Sequence, residues 1–274
     1  MIRDITLGQY YPATSVIHRI DPRLKIIITL VYIIALFFVR DFAAYGFVLM
    51  CLATVVRISK VPLRYILRGM KPIFLILIFT FVLNMLMTDG DVLVKLGFLK
   101  ITQQGLYNAV FMASRLVLLI IGSFLLTFTT KPVKLTDGIE SLLKPFRKLG
   151  IPSHEIAMMM TIALRFIPTL LEETDKIMKA QQARGADFET GNIFKRALKL
   201  IPILVPLFIG AFRIASDLAL AMEARCYRGG EGRTKLHELK IKRRDIISII
   251  LVVLFVAVIL VERFYIGPIF IPTP

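Results

Sequence analysis

The chain has 274 residues, is 57% hydrophobic and carries a formal net charge of +16, with an isoelectric point near 10.1. A mean hydropathy of +0.74 excludes an ordinary soluble domain, which is about 45–50% apolar, and points to a polytopic membrane protein. The basic residues concentrate between apolar runs, which reads as membrane topology and anionic lipid; no nucleic-acid partner is expected.

Met1–Pro22 is mixed and polar, without the pattern of a cleavable signal, so the first apolar run is expected to serve as an uncleaved insertion signal. Five apolar runs follow as candidate spans: Leu24–Val39, Phe42–Val56, Pro72–Met87, Leu106–Thr129 and Ile246–Val261. Several fall slightly short of the roughly 20 residues a span needs, and flanking Lys and Arg can snorkel to extend them. The loop after the second run carries Arg57, Lys60, Arg64, Arg68 and Lys71 and no acid, the strongest cytoplasmic signal in the chain. The turn with Arg40 and Asp41, and the loop where Asp89 and Asp91 offset Lys95 and Lys100, read as external. The N-terminus is then cytoplasmic, Lys131–Arg244 is cytoplasmic, and the C-terminus is external.

A sixth run, Leu200–Met222, is long enough to cross. A crossing there would place Arg225, Arg228, Arg233, Lys235, Lys240, Lys242, Arg243 and Arg244 outside, against the positive-inside bias. It would also bury Arg213 and Asp217, which at (i, i+4) could pair. The run is therefore expected to be a helix held against protein and the membrane surface.

Within 131–244, a small amphipathic piece around Thr136–Leu149 precedes two long rods. Pro152-Ser153-His154-Glu155 reads as a helix start, with Ser153 as the cap and Glu155 suited to the dipole. Ile156, Met160, Leu164, Ile167, Leu171, Thr174 and Met178 form one apolar face at spacings of three and four. Glu172/Lys176 and Asp175/Lys179 are expected ion pairs. This rod runs to Arg184 and stops at Gly185, about 45 Å at 1.5 Å per residue, with a bend at Pro168. The second is expected to start near Asn192 and to carry Lys195, Arg196 and Lys199 in its first turns. Pro202 and Pro206 bend or break it early. It continues to Arg225, and Gly229, Gly230 and Gly232 end regular structure. The apolar stripes are wider than one partner needs. Met158, Met159, Met160, Met178 and Met222 suit a surface that also faces another membrane subunit.

No catalytic or metal-binding constellation is visible. The chain contains no Gly-x-x-x-x-Gly-Lys-Ser/Thr, no His-Glu-x-x-His and no Gly-x-Ser-x-Gly, and His18, His154 and His237 lie apart. Cys51 and Cys226 suggest neither a disulfide framework nor a metal site. Asn84, Asn108 and Arg115 are the polar groups in or near spans. Arg115 is expected to bond within the bundle or to snorkel.

Ala180-Gln181-Gln182-Ala183-Arg184-Gly185 nearly recurs as Ala221-Met222-Glu223-Ala224-Arg225-Cys226, each at the end of a long helical pattern. Alone, each arginine suits a helix C-terminus. The N-terminal Ser15-Val16-Ile17-His18-Arg19-Ile20-Asp21-Pro22-Arg23-Leu24-Lys25 is similar to the Leu-His-Arg-Leu-Asp-Pro-Arg-x-Lys signature of one family. With four spans before the twin Ala-Arg-Gly-like motifs and one after, nearly the whole chain resembles the transmembrane T component of energy-coupling factor transporters, ABC-type importers of vitamins and metal ions.

The resemblance implies an all-α polytopic membrane protein with about five transmembrane helices and long crossed cytoplasmic coupling helices inserted before the last span. Residues 1–130 would hold the N-terminal segment and four spans, 131–244 the coupling helices, and 245–274 the last span and an external tail. It implies docking of Arg184 and Arg225, flanked by Ala183, Gly185, Ala224 and Cys226, into two cytoplasmic ABC ATPase subunits. It also implies a separate substrate-binding membrane S component, set in the lipid bilayer. No cofactor is expected on this chain, and ATP belongs to the ATPases. The departure from the motif is Cys226 in place of glycine. A left-handed backbone there is costly, so the second rod is expected to end differently from the first. For His18, Arg19, Asp21 and Arg23 the resemblance assigns no role, and the residues themselves read as a solvated segment before the first span. The rivals are a self-sufficient carrier, which would show internal repeats and broken spans, and a membrane-embedded enzyme, which would need convergent titratable groups.

Overall fold

The computed structural model describes residues 10–39, 41–96, 99–150, 152–188, 190, 193–229 and 241–266. The expected roles of Arg40, Asn192, Gly230, Gly232, Arg233, Lys235, His237 and Lys240 lie outside the described residues. The elements, in order, are α1 (Pro22–Phe38), α2 (Phe42–Ser59), α3 (Leu63–Met70), α4 (Phe74–Met87), β1 (Val92–Leu96), β2 (Leu99–Thr102), α5 (Gln103–Thr129), α6 (Pro132–Leu143), α7 (Ser153–Ala183), α8 (Ile193–Lys199), α9 (Ile201–Ala224) and α10 (Arg243–Val261).

The fold is that of a helical polytopic membrane protein, with one addition. The segment expected as a plain external loop contains an antiparallel hairpin, in which Val92 pairs with Thr102 and Leu96 with Leu99. Its strands are too short and too interrupted by lysine to show an alternating pattern. Thr102 closes the hairpin and starts α5: its hydroxyl accepts the Gly105 N–H at 3.0 Å and donates to the Thr88 carbonyl at 2.7 Å. The basic segment 57–71, expected as a loop, folds into α3 and a 3₁₀ turn at Lys71–Ile73.

Among the described residues, six helical stretches are long and apolar enough to cross a membrane: Phe42–Ser59, Leu63–Met87, Gln103–Thr129, Ser153–Ala183, Ile201–Ala224 and Arg243–Phe264. The count differs from the expected five. α1, at 17 residues, is just shorter than any of these, while α7 and α9, expected to stay out of the membrane, are among them.

The described residues form two compact units, one from 10–138 and 241–266, the other from 139–229. In the first, α5 touches α1, α2, α3 and α4, and α10 closes on α1. The core is apolar, with Leu36, Val48, Val39, Ile259 and Phe128 almost wholly buried. Gly122 admits the ring of Tyr32, which a Cβ at 122 would strike, and the Tyr32 hydroxyl donates to the Leu118 carbonyl at 2.9 Å. Arg115 bonds within the bundle rather than snorkelling. Its Nε donates to Tyr45 Oη at 2.9 Å and Nη2 to the Val39 carbonyl at 3.1 Å, with the guanidinium 5.1 Å from the Phe111 ring centre. Two bonds and an aromatic face satisfy a charge that the hydrocarbon would otherwise penalise. No residue of α4 is buried, and its exposed Phe74, Leu75, Ile76, Phe79 and Met87 form a surface suited to lipid rather than water.

In the second unit α7 packs on α9. α7 begins at Ser153, but Ser153 is the first helical residue, is buried and makes no capping bond; Pro152 precedes it in the cap position. The expectation of a serine cap is thus off by one residue. Proline serves here by ending the preceding segment, and His154 Nδ1 sits 3.1 Å from Glu140 Oε1 at the same corner. Pro168 lies inside the helix as expected. Lys176 pairs at 3.4 Å with Glu173, one residue on from the expected Glu172; both partners are exposed, so the pair contributes little. The second rod is broken at Leu200 into α8 and α9, with Pro202 in the first turn of α9, where its missing N–H costs nothing, and Pro206 inside it. Lys199 turns back to Asp187 Oδ2 at 3.3 Å and the Thr190 carbonyl at 2.9 Å.

Candidate functional site

The two long helices α7 and α9 end alike. After Ala183, Arg184 occupies the cap at φ −88, ψ 8; after Ala224, Arg225 does so at φ −92, ψ 15. The next residue is left-handed in both, Gly185 at φ 89 and Cys226 at φ 55. The Gly185 N–H then reaches the Gln182 carbonyl at 3.0 Å and the Ala186 N–H reaches Gln181 at 3.0 Å. At the other end Cys226 reaches Glu223 at 2.8 Å and Tyr227 reaches Met222 at 3.0 Å. These are the paired bonds of a Schellman motif, which satisfy the last carbonyls of a helix. The expectation that Cys226 makes the second rod end differently is therefore wrong. Two backbone hydrogen bonds hold position 226 left-handed against the steric preference of a side chain.

Ala183, Arg184, Gly185, Ala224, Arg225 and Cys226 are all exposed, and neither guanidinium has an ion-pair or hydrogen-bond partner among the described residues. A Cβ at Gly185 would meet nothing within 4 Å, so only the backbone conformation calls for glycine there. Each motif thus presents a rigid five-donor fork at a helix end, flanked by a small alanine. Such a fork suits a carboxylate or carbonyl groove on another surface. α9 adds a broad exposed apolar face, with Leu204, Val205, Phe208, Ile209 and Phe212 open. Arg213 and Asp217 are exposed and unpaired with each other among the described residues, so their (i, i+4) spacing is not used.

A second cluster lies in the bundle unit. Asp21 caps α1, its carboxylate accepting the Arg23 N–H at 2.9 Å, and its own N–H donates to Asp245 Oδ1 at 3.0 Å. Asp245 Oδ2 accepts the Lys242 N–H at 2.7 Å, starting α10. Lys25 is buried and donates to the Thr129 carbonyl at 2.8 Å and Thr130 Oγ1 at 3.2 Å, at the end of α5. His18 Nε2 donates to the Tyr11 carbonyl at 3.0 Å, which leaves Nδ1 to accept from the Ser15 hydroxyl at 2.8 Å. Burial of the ring holds its pKa below the ordinary 6.5, and the nearby Lys25 charge adds to this. The segment expected to be solvated is instead a knot joining the starts of α1 and α10 to the end of α5. Among the described residues no three His, Cys, Asp or Glu side chains gather as metal ligands.

A family profile described as CbiQ, cobalt transport protein, matches residues 13–236. The chain is 55% identical over 263 residues to the energy-coupling factor transporter transmembrane protein EcfT of Thermosediminibacter oceani, covering 96% of this chain and 99% of that one. It is 56% identical over 269 residues to the EcfT of Clostridium kluyveri, covering 97% and 100%, and 44% identical over 264 residues to that of Bacillus subtilis, covering 96% and 100%. The chain belongs to the family of energy-coupling factor transporter transmembrane proteins. It is a T component, a multi-pass membrane protein of a transporter. The matched span takes in both Arg motifs and the N-terminal signature. The residues of that signature disclose no role by themselves, because Tyr11, Thr129, Thr130 and Asp245, which complete the knot, lie outside it. The one local sign was Asp21-Pro22, an acid before a proline, which is a helix-start pattern.

Proposed function

We propose that this T component is the coupling subunit of an ABC-type importer for a micronutrient, a vitamin or a metal ion. Arg184 and Arg225 dock into two cytoplasmic ABC ATPase subunits, with Ala183, Gly185, Ala224 and Cys226 allowing close approach. ATP binds and is hydrolysed on those partners, which supply the nucleotide site this chain lacks, and the chain itself needs no cofactor. A change in separation of the docked ends is carried by α7 and α9 to the membrane, where their apolar face reorients a substrate-binding S component. Residues 131–244 are cytoplasmic, the N-terminus faces the cytoplasm and the C-terminus is external.

The observation that carries this reading is the pair of matched helix ends, each with an exposed, unpaired arginine in the same backbone conformation. Two copies of one end suit two copies of one kind of groove. α7 and α9 do not cross the bilayer in this reading. The last turns of α7 hold Glu172, Glu173, Asp175, Lys176 and Lys179, which hydrocarbon would not accept.

Co-purification of the ATPases with Arg184→Glu and Arg225→Glu variants tests the docking. Charge-assisted bonds contribute about 1.5–3 kcal/mol each, so each single reversal should cut ATPase recovery at least tenfold and the double variant should abolish it. Undiminished recovery with the double variant overturns the reading.

A further inference from the structure

Residues 57–71 carry Arg57, Lys60, Arg64, Arg68 and Lys71 and no acid, and all five basic residues are exposed. α3 lies in the middle of this segment and separates into three sectors. Ile66, only 2% exposed, and Gly69, against the Phe124 ring, face the bundle, and Tyr65 meets the Tyr11 ring at 5.2 Å beside them. Leu63 and Leu67 face away, 65% and 64% exposed. Arg64 and Arg68, one turn apart, form the third sector and have no ion pair among the described residues. A helix this short with two open leucines beside two free guanidiniums has the make-up of an interfacial membrane helix.

Its depth follows from its neighbours. α2 ends at Ser59, and the candidate span that includes α3 and α4 runs on to Met87. α4 alone has 14 residues, about 21 Å of rise, so hydrocarbon reaches back towards Lys71. Arg64, Arg68 and Lys71 keep α3 out of that hydrocarbon, while Leu63 and Leu67 favour its edge. We propose that α3, with Arg57, Lys60 and Lys71 around it, is a binding site for anionic phospholipid, the leucines entering the acyl boundary and the arginines taking the headgroup phosphate. The occupant is lipid because the patch lies at the end of two spans and its charge is unbroken by any acid. The inference needs only that α2 and α4 cross the membrane, and is independent of where Arg184 and Arg225 dock.

The chain has no tryptophan, so Leu67→Trp gives a single tryptophan, excited apart from the tyrosines, in the full-length protein. In phosphatidylcholine vesicles, phosphatidylglycerol brominated on its acyl chains should quench that emission far more per molecule than brominated phosphatidylcholine. At about 1 kcal/mol per surface cation, the preference should be roughly tenfold or more and should fall with salt. Adding Arg64→Gln and Arg68→Gln should cut it at least several-fold, with Arg57, Lys60 and Lys71 keeping a remainder, whereas Arg64→Lys and Arg68→Lys should keep most of it and show that the fold persists. Equal quenching by the two brominated lipids overturns the proposal, as does quenching by neither. So does a preference that the double glutamine variant leaves undiminished.

Discussion

A non-glycine residue in the left-handed region costs about 1–2 kcal/mol, and Cys226 at φ 55 bears that cost where Gly185 does not. Both positions are followed by the same backbone hydrogen bonds, so the difference lies in the residue and not in the motif. Cys226→Gly should therefore raise the melting temperature of the detergent-solubilised protein, by an amount equivalent to about 1 kcal/mol, and leave ATPase recovery intact. Gly185→Val should lower it by a similar amount or more, since a β-branched side chain is poorly accommodated at φ 89. An unchanged melting temperature for both would show that these ends contribute nothing to folding. His18 supplies a second test. Its folded-state pKa lies below the ordinary 6.5, so the unfolded chain binds the proton more readily. The stabilisation is complete above about pH 6.5 and is lost as pH falls towards the folded-state value. Thermal unfolding should show stability flat above that point and declining below it, and His18→Gln should flatten the decline. An unaltered slope in the variant would assign the decline to other groups.

At the scale of elements, the starts of α1 and α10 depend on one carboxylate. Asp245, 2% exposed, accepts N–H groups from Lys242 on its own helix and from Asp21 across the bundle. Asp245→Ala would leave the buried Asp21 N–H without its acceptor and the first turn of α10 uncapped. The cost should be about 2–4 kcal/mol, measured by thermal unfolding, against less than about 0.5 kcal/mol for Asp217→Ala on an exposed face. That link was not legible in the chain, because nothing local ties position 21 to position 245. α7 was legible almost to the residue: its apolar spacing from Ile156 to Met178 and the glycine at 185 mark a helix whose ends come from local chemistry. α3 was obscured by its own charge, since five basic residues in fifteen read as a loop until Ile66 is seen to dock. The geometry of Cys226 was hidden because propensity spoke against it and the hydrogen bonds of the turn outweighed propensity.

At the scale of the molecule, the proposal requires both motif arginines on the cytoplasmic side, and the chain carries its own probe. Cys226 is exposed next to Arg225, and the other cysteine, Cys51, sits partly buried within α2. In a Cys51→Ala background, a membrane-impermeant maleimide should label Cys226 in inside-out vesicles and not in intact cells. Asp89→Cys, placed in the exposed turn before the hairpin on a background lacking both native cysteines, should show the opposite pattern. The two results fix the number of crossings between residues 89 and 226 as odd. That is met if α5 alone crosses, or if α7 and α9 cross with it. Labelling a cysteine placed at exposed Lys179 separates these cases, because two extra crossings would move position 179 outside. Cytoplasmic labelling at both 179 and 226 leaves α7 and α9 on the ATPase side, where six or seven crossings would be too many. External labelling at 179 would place Arg184 beyond the reach of any cytoplasmic partner and end the coupling proposal.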